Sequence, residues 1–299
     1  MRHLLDIDDL TGPDLTRILD LAERPDPDRV LSGKGAALIF EKPSNRTRNA
    51  TEMAVAALGG HPVTIRGEEI GIGVRESVED VVRVLGRYHR VVAARVFDHA
   101  VLERMARVDA VPVVNLLSDV AHPCQALADL LTLRQRWGSL DGRSVAWVGD
   151  GNNVARSLIF GCGLSGVDVR LACPPGHEPD RVAVDAARAH GVAVVVTADP
   201  AEAVKGADAV YTDVWVSMGQ EAETAAREDA FAGYQVDETL MAEAAPDAVF
   251  LHCLPAHRGL EVSAAVIDGP ASAVWDQAEN RMHAARGLLW WLVTEAATP

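Results

Sequence analysis

Cysteine, long apolar runs and positive charge are all scarce in this sequence. The four cysteines, Cys124, Cys162, Cys173 and Cys253, are scattered through 299 residues with no C-x-x-C pair. Such spacing excludes a dense disulfide framework and fits reduced thiols in a cytosol. No apolar stretch approaches the ~18 residues of a transmembrane helix. The opening Met1 to Leu10 has no unbroken apolar core, so a signal peptide is not expected. Lys and Arg number 28 against 43 Asp and Glu, a net charge of −15. That balance argues against a nucleic-acid or anionic-membrane surface. There is no GxSxG elbow, no GxxxxGK[ST] loop and no histidine cluster with metal-ligand spacing.

What is present is a local concentration of the few cations. Ala36-Ala37-Leu38-Ile39-Phe40 reads as a short buried strand. Ala50, Met53, Ala54, Ala57 and Leu58 then form one face of a helix. Between them lies Ser44-Asn45-Arg46-Thr47-Arg48, at a helix N-terminus, where free backbone N–H groups and the positive dipole end gather. Hydroxyls and forked guanidiniums at such a point suit a phosphate. A plain N-cap at Ser44 with solvated arginines would look the same locally.

The rest alternates strand and helix. Strands are expected at His61 to Ile65, Val91 to Phe97 and Val111 to Leu116, with helices from Ser77, over His99 to Val108, and from His122-Pro123 to Trp137. A second series follows the Asp141-Gly142 turn: strands 144–149, 168–173, 192–197, 209–215 and 248–254, with helices between. Residues 1–33 suggest two short helices around Pro25-Asp26-Pro27. Val216 to Tyr234 is polar with few apolar anchors, a candidate lid. A final helix is expected from Asn280. The fold class implied is α/β, two doubly wound parallel-sheet domains, with the break near 136–142.

Ligands in such sheets sit at the carboxyl ends of strands. The residues there are Ser44 to Arg48, Arg95, His122 with Gln125, Asp150-Gly151-Asn152-Asn153, Asp213 with Ser217-Met218-Gly219, and His252-Cys253-Leu254-Pro255. Glu279-Asn280-Arg281 precedes the last helix. Each alone has a plain structural reading: a cap for Asp150 or Asn153, an edge pair for Arg95, a small hydrophobe for Cys253. Seven polar clusters at strand ends are hard to explain as caps. Gly149-Asp150-Gly151 is a poor dinucleotide fingerprint, because Val154 stands for the third glycine and the next strand ends without an acid. His252 and Cys253, adjacent in a strand, would point to opposite faces, so no metal is expected.

These motifs, FEKPSNRTR, HPCQ, VGDGNN, DVWVSMGQE, HCLPAHRG and the closing AENR before a helix, run in this order along nearly the whole chain. They resemble the ornithine carbamoyltransferase family of the wider aspartate/ornithine carbamoyltransferases. The resemblance implies transfer of a carbamoyl group from carbamoyl phosphate to the δ-amine of L-ornithine, giving L-citrulline and phosphate, without metal or cofactor. It implies a carbamoyl-phosphate domain over 1–138, completed by helix 280–299, and an ornithine domain over 139–279. It further implies a cytoplasmic homotrimer or multiple of trimers. Carbamoyl phosphate would be held by Ser44, Asn45, Arg46, Thr47, Arg48, Arg95, His122, Gln125, Cys253, Leu254 and Arg281. Ornithine would be held by Asn153, Asp213, Ser217 and Met218, with Arg95, His122, Cys253 and Asp213 as catalytic residues. Two positions depart from the pattern. Asn45 stands where the family usually has Thr, and Gly71 where many relatives place a Gln or His that reaches a neighbouring subunit. Arg75 is a candidate substitute. Other amine acceptors (putrescine or an acylated ornithine) and a non-catalytic paralogue are the alternatives.

Overall fold

The computed structural model describes residues 1–216 and 221–296. The chain divides into two compact units, Met1–Leu131 with Glu279–Pro299, and Thr132–Ala278. It passes from the first to the second inside helix Pro123–Trp137 and returns inside helix Val274–Thr294. The first passage thus precedes the expected 136–142, and the last helix starts six residues before the expected Asn280.

The first unit is built on strands β1 (Gly35–Phe40), β2 (His61–Arg66), β3 (His89–Arg95) and β4 (Val113–Leu117). All neighbours pair in parallel, in the order β2-β1-β3-β4. Ala36 to Ile39 and Val91 to Ala94 are wholly buried, as expected of parallel strands covered on both faces. Helix Val78–Tyr88 starts where Ser77 accepts the Asp80 N–H at 3.1 Å. Its Val78, Val81 and Val82 pack with Ala37, Ile39, Val92, Leu102 and Met105. Helix Gly12–Glu23 forms, but no second helix follows Pro27. Two prolines with one residue between them remove N–H donors and push their predecessors out of the α region.

The second unit carries β5 (Ser144–Val148), β6 (Asp168–Ala172), β7 (Val194–Thr197), β8 (Ala209–Thr212) and β9 (Val249–His252). They too are parallel, in the order β7-β6-β5-β8-β9. The candidate lid over 216–234 needs correction. Ser217 and Met218 lie outside the described residues, but 224–234 is anchored. Helix Thr224–Ala230 brings the buried Arg227 guanidinium to the Trp215 carbonyl at 2.6 Å and to the Asp150 carboxylate. Phe231 and Tyr234 join the core with Val148, Val210, Phe250 and Val262. One arginine and two aromatics do what a run of apolar residues would do elsewhere, so a count of apolar residues misses it. Among the described residues, no helix is long and apolar enough to cross a membrane.

Candidate active site

Both sheets reverse their winding beside their first strand. In the first unit the chain adds β2 on one side of β1 and β3 on the other. In the second it adds β6 and β7 on one side of β5, then β8 and β9 on the other. Where winding reverses, the connections leave in opposite directions and open a crevice at the strand ends. The polar motifs found in the sequence lie at these two points.

At the first, Phe40 pairs with Arg95 across the ends of β1 and β3, and the Glu41 N–H donates to the Arg95 carbonyl at 2.9 Å. Ser44 caps helix Asn45–Ala57, its hydroxyl accepting the Thr47 N–H at 3.3 Å. The Thr47 hydroxyl is buried and receives two guanidiniums, Arg95 at 3.4 Å and Arg281 at 3.0 Å. Arg281 also donates to the Gln125 side-chain oxygen at 2.5 Å, and Gln125 in turn donates to Asp129 at 2.7 Å. His122 is buried beside them. Burial first, then the charges of Arg281 and Arg95, hold its imidazole well below the ordinary histidine range, so it is neutral at pH 7. The chain thus brings together Thr47, Arg95, His122, Gln125 and Arg281 from four separate stretches. A neutral donor and two fixed cations around one hydroxyl can receive a dianion whose carbonyl also needs a hydrogen bond.

Two expected members stand elsewhere. Arg48 pairs with Glu52 at 2.8 Å, and Glu52 also accepts the Thr64 hydroxyl at 2.5 Å. The next residue along a helix is turned about 100° from Thr47, which follows from 3.6 residues per turn. Arg48 thus stands in a surface network with Glu52 and Thr64. Asn45 is exposed, and its side-chain oxygen accepts the Asn49 amide at 3.0 Å. At Gly71 the backbone is left-handed, φ 63°, and a Cβ would lie 3.0 Å from that of Arg75. The turn itself thus favours glycine. The Arg75 guanidinium is 3.9 Å from the Glu76 carboxylate.

At the second reversal, Val148 pairs with Thr212, and Thr212 with His252. Asp213, the next residue, is buried. Its Oδ1 accepts the Val214 N–H at 2.8 Å and the Cys253 thiol at 2.9 Å, and its Oδ2 accepts the Asn152 amide at 2.9 Å. Asn152 is doubly used, since its side-chain oxygen caps helix Asn153–Ser165 through the Val154 and Ala155 N–H groups. The sequence pattern sets Asn152 at a strand end without giving it a role, the expected ornithine contact being Asn153. The signal for Asn152 was there, an Asn in the N-cap position of a helix that starts at a strand end. The glycine before it serves packing, since a Cβ on Gly151 would meet the Pro179 and Glu178 backbone at 2.4–2.5 Å. Asp150 was also missed as an anchor. Burial pushes its carboxyl up, against the pull of Arg227 and His177.

Asp213, His252 and Cys253 have ligand atoms within 4.8 Å of one another, which corrects the expectation that His252 and Cys253 diverge. β9 ends at His252, so strand alternation does not reach Cys253. Both His252 nitrogens are engaged, however. Nδ1 accepts the Leu254 N–H at 2.9 Å and Nε2 donates to Glu261 at 3.1 Å. A metal at this trio would have to displace one of these two contacts.

Two parallel sheets, each with a polar cluster at its reversal point and one of them rich in fixed cations, define an anion-handling transferase. The family model described as the carbamoyl-P binding domain of aspartate/ornithine carbamoyltransferases matches residues 2–135, and that of their Asp/Orn binding domain matches 141–292. The chain belongs to this family. A relative in Acidothermus cellulolyticus, named ornithine carbamoyltransferase, is 50% identical over 99% of this chain and 98% of its own. The solved ornithine carbamoyltransferase of Pyrococcus furiosus aligns with TM-score 0.94 at 44% identity, covering 100% of this chain and 98% of that one. A solved N-acetyl-L-ornithine transcarbamylase aligns with TM-score 0.88 at 31% identity, covering 98% and 100%.

Proposed function

We propose that this enzyme transfers the carbamoyl group of carbamoyl phosphate to the δ-amine of L-ornithine, releasing L-citrulline and phosphate. The observation that carries the reading is the Thr47 hydroxyl shared by Arg95 and Arg281 beside a neutral His122. In this reading, Met1–Leu131 with the last helix holds carbamoyl phosphate. Ser44, Arg46 and Thr47 take the phosphate at the helix N-terminus. Arg281 and Gln125 complete the shell. Arg95 and His122 donate to the carbonyl oxygen, and Leu254 contacts the carbamoyl group.

The second unit takes ornithine. Asp213, already oriented by Asn152, Val214 and Cys253, pairs with the α-ammonium. The neutral δ-amine attacks the carbonyl carbon. Negative charge develops on the carbonyl oxygen and then on the departing phosphate as the carbon–oxygen bond breaks, and the phosphate oxygen takes the proton that the attacking nitrogen sheds. A fixed donor at a developing oxyanion is worth about 10²–10³ in rate. His122 does this as a neutral donor, and Arg95 adds charge. No covalent enzyme intermediate is required. We place the activity in the cytoplasm, in a trimeric assembly, as the family resemblance implies.

The test is product formation with carbamoyl phosphate and ornithine, N-acetylornithine or putrescine in parallel. Citrulline from ornithine alone supports the reading. A preference for N-acetylornithine, which has no α-ammonium for Asp213, would replace the acceptor and keep the transferase. In a thermal-shift titration, Arg46→Ala should abolish protection by phosphate against unfolding.

A further inference from the structure

The HCLP motif opens on a titratable residue that the proposed chemistry does not use. His252 is wholly buried, and so is Glu261, nine residues later. A carboxylate is not buried without cost unless it is hydrogen-bonded, so this one needs a reason. Glu261 Oε1 accepts the His252 Nε2–H at 3.1 Å and the His257 N–H at 2.6 Å. Burial works against the Glu261 charge, yet these hydrogen bonds hold its carboxyl below the usual range, so it is ionised at pH 7. An anion at Nε2 fixes the tautomer. The proton stays on Nε2, and Nδ1 keeps its lone pair for the Leu254 N–H at 2.9 Å. The His252 N–H is itself held by the Gln277 side chain at 2.9 Å, so the ring has little freedom.

Leu254 needs that hold. Its φ is 60°, the left-handed region, which a branched side chain rarely adopts unless something holds it there. It follows Cys253, whose thiol sits on Asp213. We propose that Glu261 and His252 form a positioning relay, in which the buried carboxylate orients the imidazole so that Nδ1 holds the Leu254 backbone against the carbamoyl group. The inference rests on the carbamoyltransferase reading above. Neither residue touches substrate. The relay sets where Leu254 presents itself, and thereby the geometry of the reacting carbonyl rather than substrate affinity. A misplacement of about 1 Å at a reacting group costs up to about 100-fold in rate.

Three variants test it, with kcat and KM for ornithine measured at saturating carbamoyl phosphate and melting temperature measured alongside. His252→Asn keeps an oxygen near the place of Nδ1 and loses the link to Glu261. His252→Leu loses both. The relay predicts a kcat order of wild type, Asn, Leu, with the Leu variant down about tenfold to 100-fold. The KM for ornithine should stay within about twofold, since Asp213 keeps its partners. Glu261→Gln, which keeps a neutral acceptor and guards against a Leu variant that fails to fold, should lower kcat by a smaller factor at unchanged KM. Equal kcat for the Asn and Leu variants, a loss confined to melting temperature, or a loss in KM alone would overturn the relay. If the wild type forms no carbamoylated product from any amine, the function itself is wrong and the relay falls with it. An active wild type with indifferent variants removes the relay only.

Discussion

Asp213→Asn is usually regarded as a mild, isosteric change, and here the geometry says otherwise. Both carboxylate oxygens already accept hydrogen bonds: Oδ1 from the Val214 N–H at 2.8 Å and the Cys253 thiol, Oδ2 from Asn152 at 2.9 Å. An amide must place its NH₂ at one of these positions. At Oδ1 it faces a backbone donor that cannot turn. At Oδ2 it faces the Asn152 NH₂, and Asn152 cannot flip, because its oxygen caps helix Asn153–Ser165. One buried donor is left facing another, a cost of about 1–3 kcal/mol. At about 2–4 °C per kcal/mol for domains of 150–250 residues, the melting point should fall measurably without ligand. The substrate effect is separate. A buried α-ammonium that loses its anion costs about 3–5 kcal/mol, so kcat/KM for ornithine should drop by about 100-fold to 4,000-fold. Carbamoyl phosphate binding should stay nearly intact. The assays are a thermal melt of the free enzyme, citrulline kinetics, and calorimetry with carbamoyl phosphate. A variant that melts with the wild type and keeps kcat/KM within about threefold would refute both the donor count and the α-ammonium assignment.

The remaining predictions touch the first cluster and the thiols. Arg281→Met should weaken carbamoyl phosphate by about tenfold or more, since charged donors to Thr47 and Gln125 are lost together; calorimetry giving an unchanged affinity would remove Arg281 from the site. His122 should not titrate between pH 5 and 8 by NMR, because burial and two arginines depress it. In the unfolded chain it takes a proton near pH 6.5, so its linkage contribution is complete above that pH, and stability falls as pH drops below it. A folded-state midpoint near 6.5 would contradict the neutral-donor role. Cys253 is the half-buried cysteine of the four, whereas burial pushes the Cys124 thiol up to about 11 and Cys173 to about 12. Iodoacetamide at pH 8 should therefore label Cys253 first, with ornithine slowing it in the presence of phosphate; peptide mapping that finds Cys124 first would refute the ranking.

How much of this the sequence carries depends on the range of each interaction. The continuous runs Ala36 to Ile39 and Val145 to Val148 are short-range signals of covered parallel strands, and both lie where the pattern puts them. The Ser44 and Ser77 caps are equally local. The strand-end rule then places Arg95, His122 and Asp213 at reversal points whose strand order the periodicity does not reveal. What escapes is side-chain direction and long-range partnership. Arg46 and Arg48 look alike as text, yet a step of two along a helix is about 200°, and Glu52 four residues on claims Arg48. Arg227 is invisible as an anchor because its partners, Trp215 and Asp150, lie 12 and 77 residues away. Asn152 is legible as a cap and not as the donor that fixes Asp213, 61 residues later. The same holds for His252, whose motif neighbours carry the chemistry in the proposed reading while its own ring looks inward to Glu261. A motif therefore names a stretch that must be kept, and only the fold separates the residues that touch substrate from those that hold them in place. In HCLP these are adjacent positions, so substitutions at His252 and Cys253 should fail in different ways, the first in kcat and the second in the binding of ornithine.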